Sequence, residues 1–340
     1  MKDKIYLSGM ATFHAARKLK YIEDRSLKNL IHGHNFKAIM KAELTDDISL
    51  GVLDKELRDL VMEFDYKDLN EYFSEPSDLF LANRVFESSI DISPLSTTIS
   101  STDFAGASNY SHNRHEIWKS FSFQASHQLP NVPDDHKCKN MHGHTFRVVL
   151  HLEASLENTE VIRIEKICGE LKANLDRKCL NQVNGLENPT SEILASWIWL
   201  RLESLSIPIS KVEVMENNDS GCIFNGTEHE IWKQHNIEAA VSYDLDKEIY
   251  GYGYKTKLFI KAPLDEVKGW VMDYGDVKEI FKPIFIKMDH HYLNEIRGLE
   301  NPSIVEVVKW MRLQLNSNFS ELSRIDLYES EGRGVELFIN

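Results

Sequence analysis

Between positions 121 and 127 the chain alternates. Phe121, Phe123, Ala125 and His127 fall on one side, Ser122, Gln124 and Ser126 on the other, the two-residue period of a half-buried strand. "HTFRVVLHLEA", from His144, predicts a second strand rich in β-branched residues. The period then changes. In "ENPTSEILASWIWLRLE", Leu194, Trp197 and Ile198 share one face of a helix, with Asn188 expected as its cap and Pro189 in its first turn. "KVEVMEN" and "SGCIFNG" read as a closing pair of strands. The unit is strand, strand, helix, helix, strand, strand.

That unit recurs. "LNQVNGLENPTSEILASWIW" from Leu180 returns as "LNEIRGLENPSIVEVVKWMR" from Leu293, where Ile304, Val308, Met311 and Leu315 repeat the helical face. "HEIWK" occurs at His115 and His229, and "CKNMHGH" (138–144) echoes "KNLIHGH" (28–34). Three units are expected, 1–114, 115–228 and 229–340, with the polar stretches "TDFAGASNYSHNRH" and "NGTEHE" at the joins. A lone four-stranded unit leaves two bare edges, but three in a row can pair edge to edge and close. The fold class is α+β: tandem ββααββ units forming a pseudo-trimeric antiparallel barrel with helices on one face.

Composition narrows the function. The 340 residues are 42% hydrophobic and 27% charged, with a formal net charge of -14. No basic face is available to displace counterions, which disfavours nucleic acid as a partner. No stretch has the length of a signal-peptide core or a membrane span. Cys138, Cys168, Cys179 and Cys222 form no CxxC pair. A cytoplasmic protein with a small-molecule ligand is expected.

The chemistry concentrates in the middle unit. His142 and His144 project to one face of a strand, and His127 can join them from its neighbour. Three neutral histidines with one coordination position left open suit a catalytic Zn2+. His14, His32 and His34 offer a second metal set in unit one. Cys138 enters the same strand from a polar loop, and beside a zinc its thiol should ionise more easily. In unit three Asp289 adjoins His290, an acid beside an imidazole suited to proton relay. Trp118 and Trp232 read as packing residues.

At these residues the chain resembles the 6-pyruvoyltetrahydropterin synthase superfamily, most closely its 6-carboxy-5,6,7,8-tetrahydropterin synthases of queuosine biosynthesis. "FSFQASHQLPNVPDDHKCKNMHGHTFRV", "MDHHYLNEIRGLENPS" and "VMENNDSGCIFNG" carry the resemblance. The C-x-x-x-H-G-H spacing is that of the carboxy-forming branch. The resemblance implies a tunnelling fold of three subunits, often two trimers stacked, with active sites between subunits. It implies zinc on His127, His142 and His144, catalysis by Cys138, Asp289 and His290, and a pterin grip by Glu216. The implied substrate is a pterin triphosphate, 7,8-dihydroneopterin triphosphate.

The copies differ. Unit two has Arg177 after Asp176. Unit three keeps Glu329 but places Val241, Tyr252 and Tyr254 at the metal positions. Unit one has Lys28 for the cysteine, Tyr66 after Asp65, and Ser101 for the glutamate. A complete set is therefore expected only where unit two meets unit three. A pyruvoyl-forming enzyme and a non-catalytic zinc- or pterin-binding protein are the rival readings.

Overall fold

A computed structural model describes residues 3–20, 30–111, 114–155, 160–243, 248–315 and 319–340, without the side chains of 160–162. Lys28 lies outside them. Twelve strands form the frame. In unit one these are β1 (Lys4–Arg17), β2 (His32–Glu43), β3 (Ser96–Thr102) and β4 (Ala105–Tyr110). Unit two contributes β5 (Arg114–His127), β6 (His142–Glu153), β7 (Ile209–Asn217) and β8 (Ser220–Phe224). Unit three contributes β9 (His229–Val241), β10 (Tyr250–Lys261), β11 (Leu322–Ser330) and β12 (Arg333–Phe338). Two helices follow the second strand of each unit: α1 (Leu50–Val61) and α2 (Asp78–Ser88), α3 (Glu160–Leu175) and α4 (Ser191–Ser204), α5 (Tyr274–Met288) and α6 (Ile304–Leu315).

Each strand is antiparallel to the next in chain order, and the ring closes. Tyr110 faces Arg114 between units one and two, and Phe224 faces His229 between two and three. Lys4 faces Phe338, so the first and last strands complete the barrel. Closure leaves no strand of the ring with an open ladder. Among the described residues no helix is long and apolar enough to cross a membrane.

The core repeats with the units. Phe13 stacks on Phe36 at 4.6 Å, Phe123 stacks on Phe146 at 5.1 Å, and Ile237 faces Tyr254 in the third copy. Two local expectations are corrected. Thr190, not Asn188, caps α4 by accepting the Ile193 N–H, while the Asn188 amide donates to the Lys268 carbonyl at 2.7 Å. The stretch expected as a polar join contains β4, which is covered on both faces, with Gly106, Ala107, Ser108 and Asn109 buried.

Phe123 is 1% exposed, so Phe123→Ala should cost about 3–5 kcal/mol through lost burial and an unfilled cavity. Urea unfolding measures it, and a loss below about 1 kcal/mol would contradict this packing.

Candidate active site

The β5–β6 register builds a metal-type cluster. His127 lies opposite His142 and Ala125 opposite His144, so the three imidazoles meet at one end of the strand pair. Ring centroids are 4.4–5.2 Å apart, and one ligand atom from each lies within 4.8 Å of the others. His127 is 1% exposed. Its Nδ1 is 3.0 Å from the Pro189 carbonyl, the geometry of an N–H donor, and its buried Nε2 has no hydrogen-bond partner among the described residues. His142 Nδ1 is likewise fixed by the Asn140 carbonyl at 2.8 Å. Burial pushes the His127 pKa down to about 4, with the neighbouring His142 and His144 adding to it, and burial also lowers His144. A neutral, oriented ring with a bare nitrogen, such as His127 presents, is what a divalent ion requires. The donor set fits a three-histidine metal centre.

Unit one is different. In the β1–β2 register Arg17, not His14, lies opposite His32, and Ala15 lies opposite His34. Arg17 therefore occupies the place of His127, and its Nη1 donates to the Pro76 carbonyl as His127 does to Pro189. His14, three residues away, points to the other face and stacks on Tyr66 at 5.4 Å. The expected second set of His14, His32 and His34 is not assembled. In unit three the register puts Val241, Tyr250 and Tyr252 at the ligand positions, and Tyr254 is the counterpart of Phe146.

Around Cys138 the structure brings together residues from two units. Cys138 is half-buried on a short turn, Lys137–Lys139. Its backbone N–H donates to His136 Nδ1 at 3.2 Å, leaving His136 Nε2 to donate to Asp273 Oδ2 at 2.8 Å. Asp273 also caps α5 of unit three. The connection leading to α5, residues 262–273, is twice as long as the corresponding 44–49 of unit one. It seals the seam: Asn131 donates to the Val267 carbonyl, Thr190 to the Gly269 carbonyl at 2.6 Å, and Val271 N–H to Glu192. Burial and the Glu216 carboxylate push the Cys138 thiol up. The easier ionisation expected from sequence is thus not supplied by the protein groups alone. Burial, with the Glu192 and Asp273 carboxylates, raises Glu216 to about 8.

Asp289 caps the end of α5, and its Oδ2 holds His290 Nδ1 at 2.9 Å. Its Oδ1 accepts the Glu238 backbone N–H, as Asp65 accepts that of His14 and Asp176 that of Gln124. The next residue, Tyr66, Arg177 or His290, has φ of 55–58° in all three units. The aspartate is thus a fastener common to the copies, while the side chain after it is free to vary. The His290 ring is exposed and its hydrogen bonds run to unit three. Sequence reasoning missed His136 and Asp273. The available signals were the histidine two residues before Cys138 and an Asp standing ahead of the helix at Tyr274.

A closed twelve-stranded barrel of ββααββ units with a three-histidine cluster at a strand end defines a tunnelling-fold protein with a candidate metal site. The family model described as 6-pyruvoyl tetrahydropterin synthase matches residues 116–228 and again 226–339, and the chain belongs to that family. It is 38% identical over 111 residues to a 6-carboxy-5,6,7,8-tetrahydropterin synthase of Synechocystis, covering 29% of this chain and 84% of that protein. It is 27% identical over 101 residues to the dihydroneopterin monophosphate aldolase of Pyrococcus furiosus, covering 29% and 85% respectively. Among solved structures, the Caenorhabditis elegans 6-pyruvoyl tetrahydropterin synthase aligns with a TM-score of 0.29 at 16% identity, covering 31% of this chain and 92% of that one.

One metal ion per chain is expected, not two, because a guanidinium occupies the first ligand position of unit one. Elemental analysis of purified protein should give a ratio near one, falling toward zero in His142→Ala. A ratio near two would contradict the assignment of Arg17.

Proposed function

We propose that the chain is a zinc-dependent 6-carboxy-5,6,7,8-tetrahydropterin synthase with one complete active site, where unit two (115–228) meets unit three (229–340). Unit one (1–114) serves as the third wall of the barrel. The reaction converts 7,8-dihydroneopterin triphosphate to 6-carboxytetrahydropterin, acetaldehyde and triphosphate, a step toward queuosine and other 7-deazaguanines. One observation carries the reading: three imidazoles gather at one end of the β5–β6 pair, and the turn that carries Cys138, four residues before His142, is tied through His136 to Asp273 of the next unit. The Cys138-x-x-x-His142-Gly-His144 spacing and the Synechocystis relative support the carboxy-forming branch.

Bound at the triad, zinc would supply Lewis-acid stabilisation of charge developing on a coordinated side-chain oxygen. The protein's own groups do the rest. Glu216, its pKa raised to about 8 by burial and by the Glu192 and Asp273 carboxylates, would ionise as the pterin's amino and ring N–H groups donate to it, since such donors favour the anion. Cys138 would take a proton from the substrate side chain. His290, with Nδ1 held by Asp289, would accept or return a proton at Nε2. His136 and Asp273 would fix the turn that carries the thiol and join it to the neighbouring unit.

Cys138→Ala should lower turnover by at least about 100-fold, the usual contribution of a positioned proton-transfer group, with zinc content unchanged. Product analysis should find acetaldehyde. Undiminished turnover in the variant would refute the thiol mechanism. A 6-pyruvoyl product would move the chain to the sister reaction, and no wild-type turnover would favour a binding protein.

A further inference from the structure

Two of the three seams are joined by the chain itself, where β4 runs on to β5 and β8 to β9. The third, between β12 and β1, pairs strands from opposite ends of the chain order and has no connecting turn. Charge fixes this pairing as well as backbone. Lys41 Nζ holds Glu336 Oε1 at 2.6 Å, and Lys37 Nζ holds Glu331 Oε1 at 2.8 Å. Arg333 Nε donates to Asp54 Oδ2 of α1 at 2.8 Å, and Arg312 Nε of α6 reaches Asp3 Oδ2 at 3.1 Å. Each pair has one member in unit one and the other in unit three. Glu336 is 3% exposed and Asp54 5%. A lost partner would leave such a charge buried and uncompensated, a larger penalty than an exposed pair carries.

The register shows what a wrong partner would meet. Glu336 lies opposite Tyr6, seven residues before Phe13. Phe123 and Ile237 take the place of Phe13 in the other units, and seven residues before them stand Glu116 and Glu230. In the seams that form, Glu116 faces Ser108 and Glu230 faces Ile223, both uncharged. Each seam thus carries one carboxylate in this row. Were β12 to pair with β5 or β9 in the same register, Glu336 would stand opposite Glu116 or Glu230, and like charges directly opposed destabilise a strand pair. The cation changes in step. Where unit one has Lys41, unit two has His151 and unit three has Phe259. Among the three first-and-second-strand pairs, that of unit one alone offers Glu336 an uncharged neighbour and a lysine together.

We propose that the unit three/unit one seam is an electrostatic clasp whose charge pattern selects the edge of a unit one as the partner of β12 and rejects the first strands of the other two units. Proximity then makes the chain's own β1 the occupant, because an intramolecular edge is at high effective concentration. Attraction by Lys41 and repulsion by Glu116 and Glu230 act together, as specific pairing requires. The clasp stands independently of the activity proposed for the unit two/unit three seam.

The test is native-state amide exchange of the full-length chain, comparing β1 and β12 with the strands of the other two seams. Tyr6→Glu sets a carboxylate opposite Glu336, as the rejected pairings would. It should speed exchange across β1 and β12 at least about 10-fold and leave β4–β5 and β8–β9 unchanged. Tyr6→Gln, which removes the same ring without adding charge, should stay within about 3-fold of wild type. Adding Glu336→Gln to Tyr6→Glu should recover most of the loss. Lys41→Met keeps the length of the side chain but strips Glu336 of its cation, and should speed exchange at the same seam at least about 5-fold. Equal effects of Tyr6→Glu and Tyr6→Gln, or no recovery on adding Glu336→Gln, would overturn the proposal. Should Tyr6→Glu fail to fold, Lys41→Met decides alone, and unchanged exchange there would overturn it.

Discussion

The structure depends on satisfying strand edges. A four-stranded ββααββ unit exposes an unpaired ladder on each side, and neither edge can be left bare in a closed barrel. Here Tyr110–Arg114, Phe224–His229 and Lys4–Phe338 close the three gaps. Every seam is therefore a continuous antiparallel pairing. Two neighbouring units are held in fixed register, and groups from both can line one cavity.

That register also decides what each copy can do. Because side chains alternate faces along a strand, a ligand position is a matter of parity and partner. Unit two places His127 opposite His142 and gathers three imidazoles. Unit one places Arg17 at the same point and gains an internal cation. Unit three places Val241 there and stacks Tyr252 on Tyr254. The frame does not change among them: Asp65, Asp176 and Asp289 fasten the same turn in each. Covalent fusion lets the chemistry diverge over a constant backbone, since each part is needed only once.

Much of this was legible in the chain. Recurring "GLENP" and "HEIWK" segments marked the units, and the change from a two-residue to a helical period ordered their elements. The middle triad was visible because its three histidines obey one strand pairing. What failed was counting without a partner strand. His14 is the nearest upstream histidine in unit one, yet it lies three residues from the required position, which turns it to the opposite face. Tyr254 was misplaced for Tyr250 in the same way. The contacts of 262–273 with unit two were illegible for another reason. They join residues far apart in sequence, and no local periodicity encodes them. Asn188 illustrates the point, since it looked like a helix cap and instead bonds Lys268 across the seam.

The account turns on one divided site. A crystal structure of the zinc-loaded Cys138→Ala chain with 7,8-dihydroneopterin triphosphate tests this most directly. The pterin should be held by Glu216, its side chain should face zinc on His127, His142 and His144, and His290 should reach it from unit three. A substrate contacting unit two alone, with His290 turned away from it, would contradict the account.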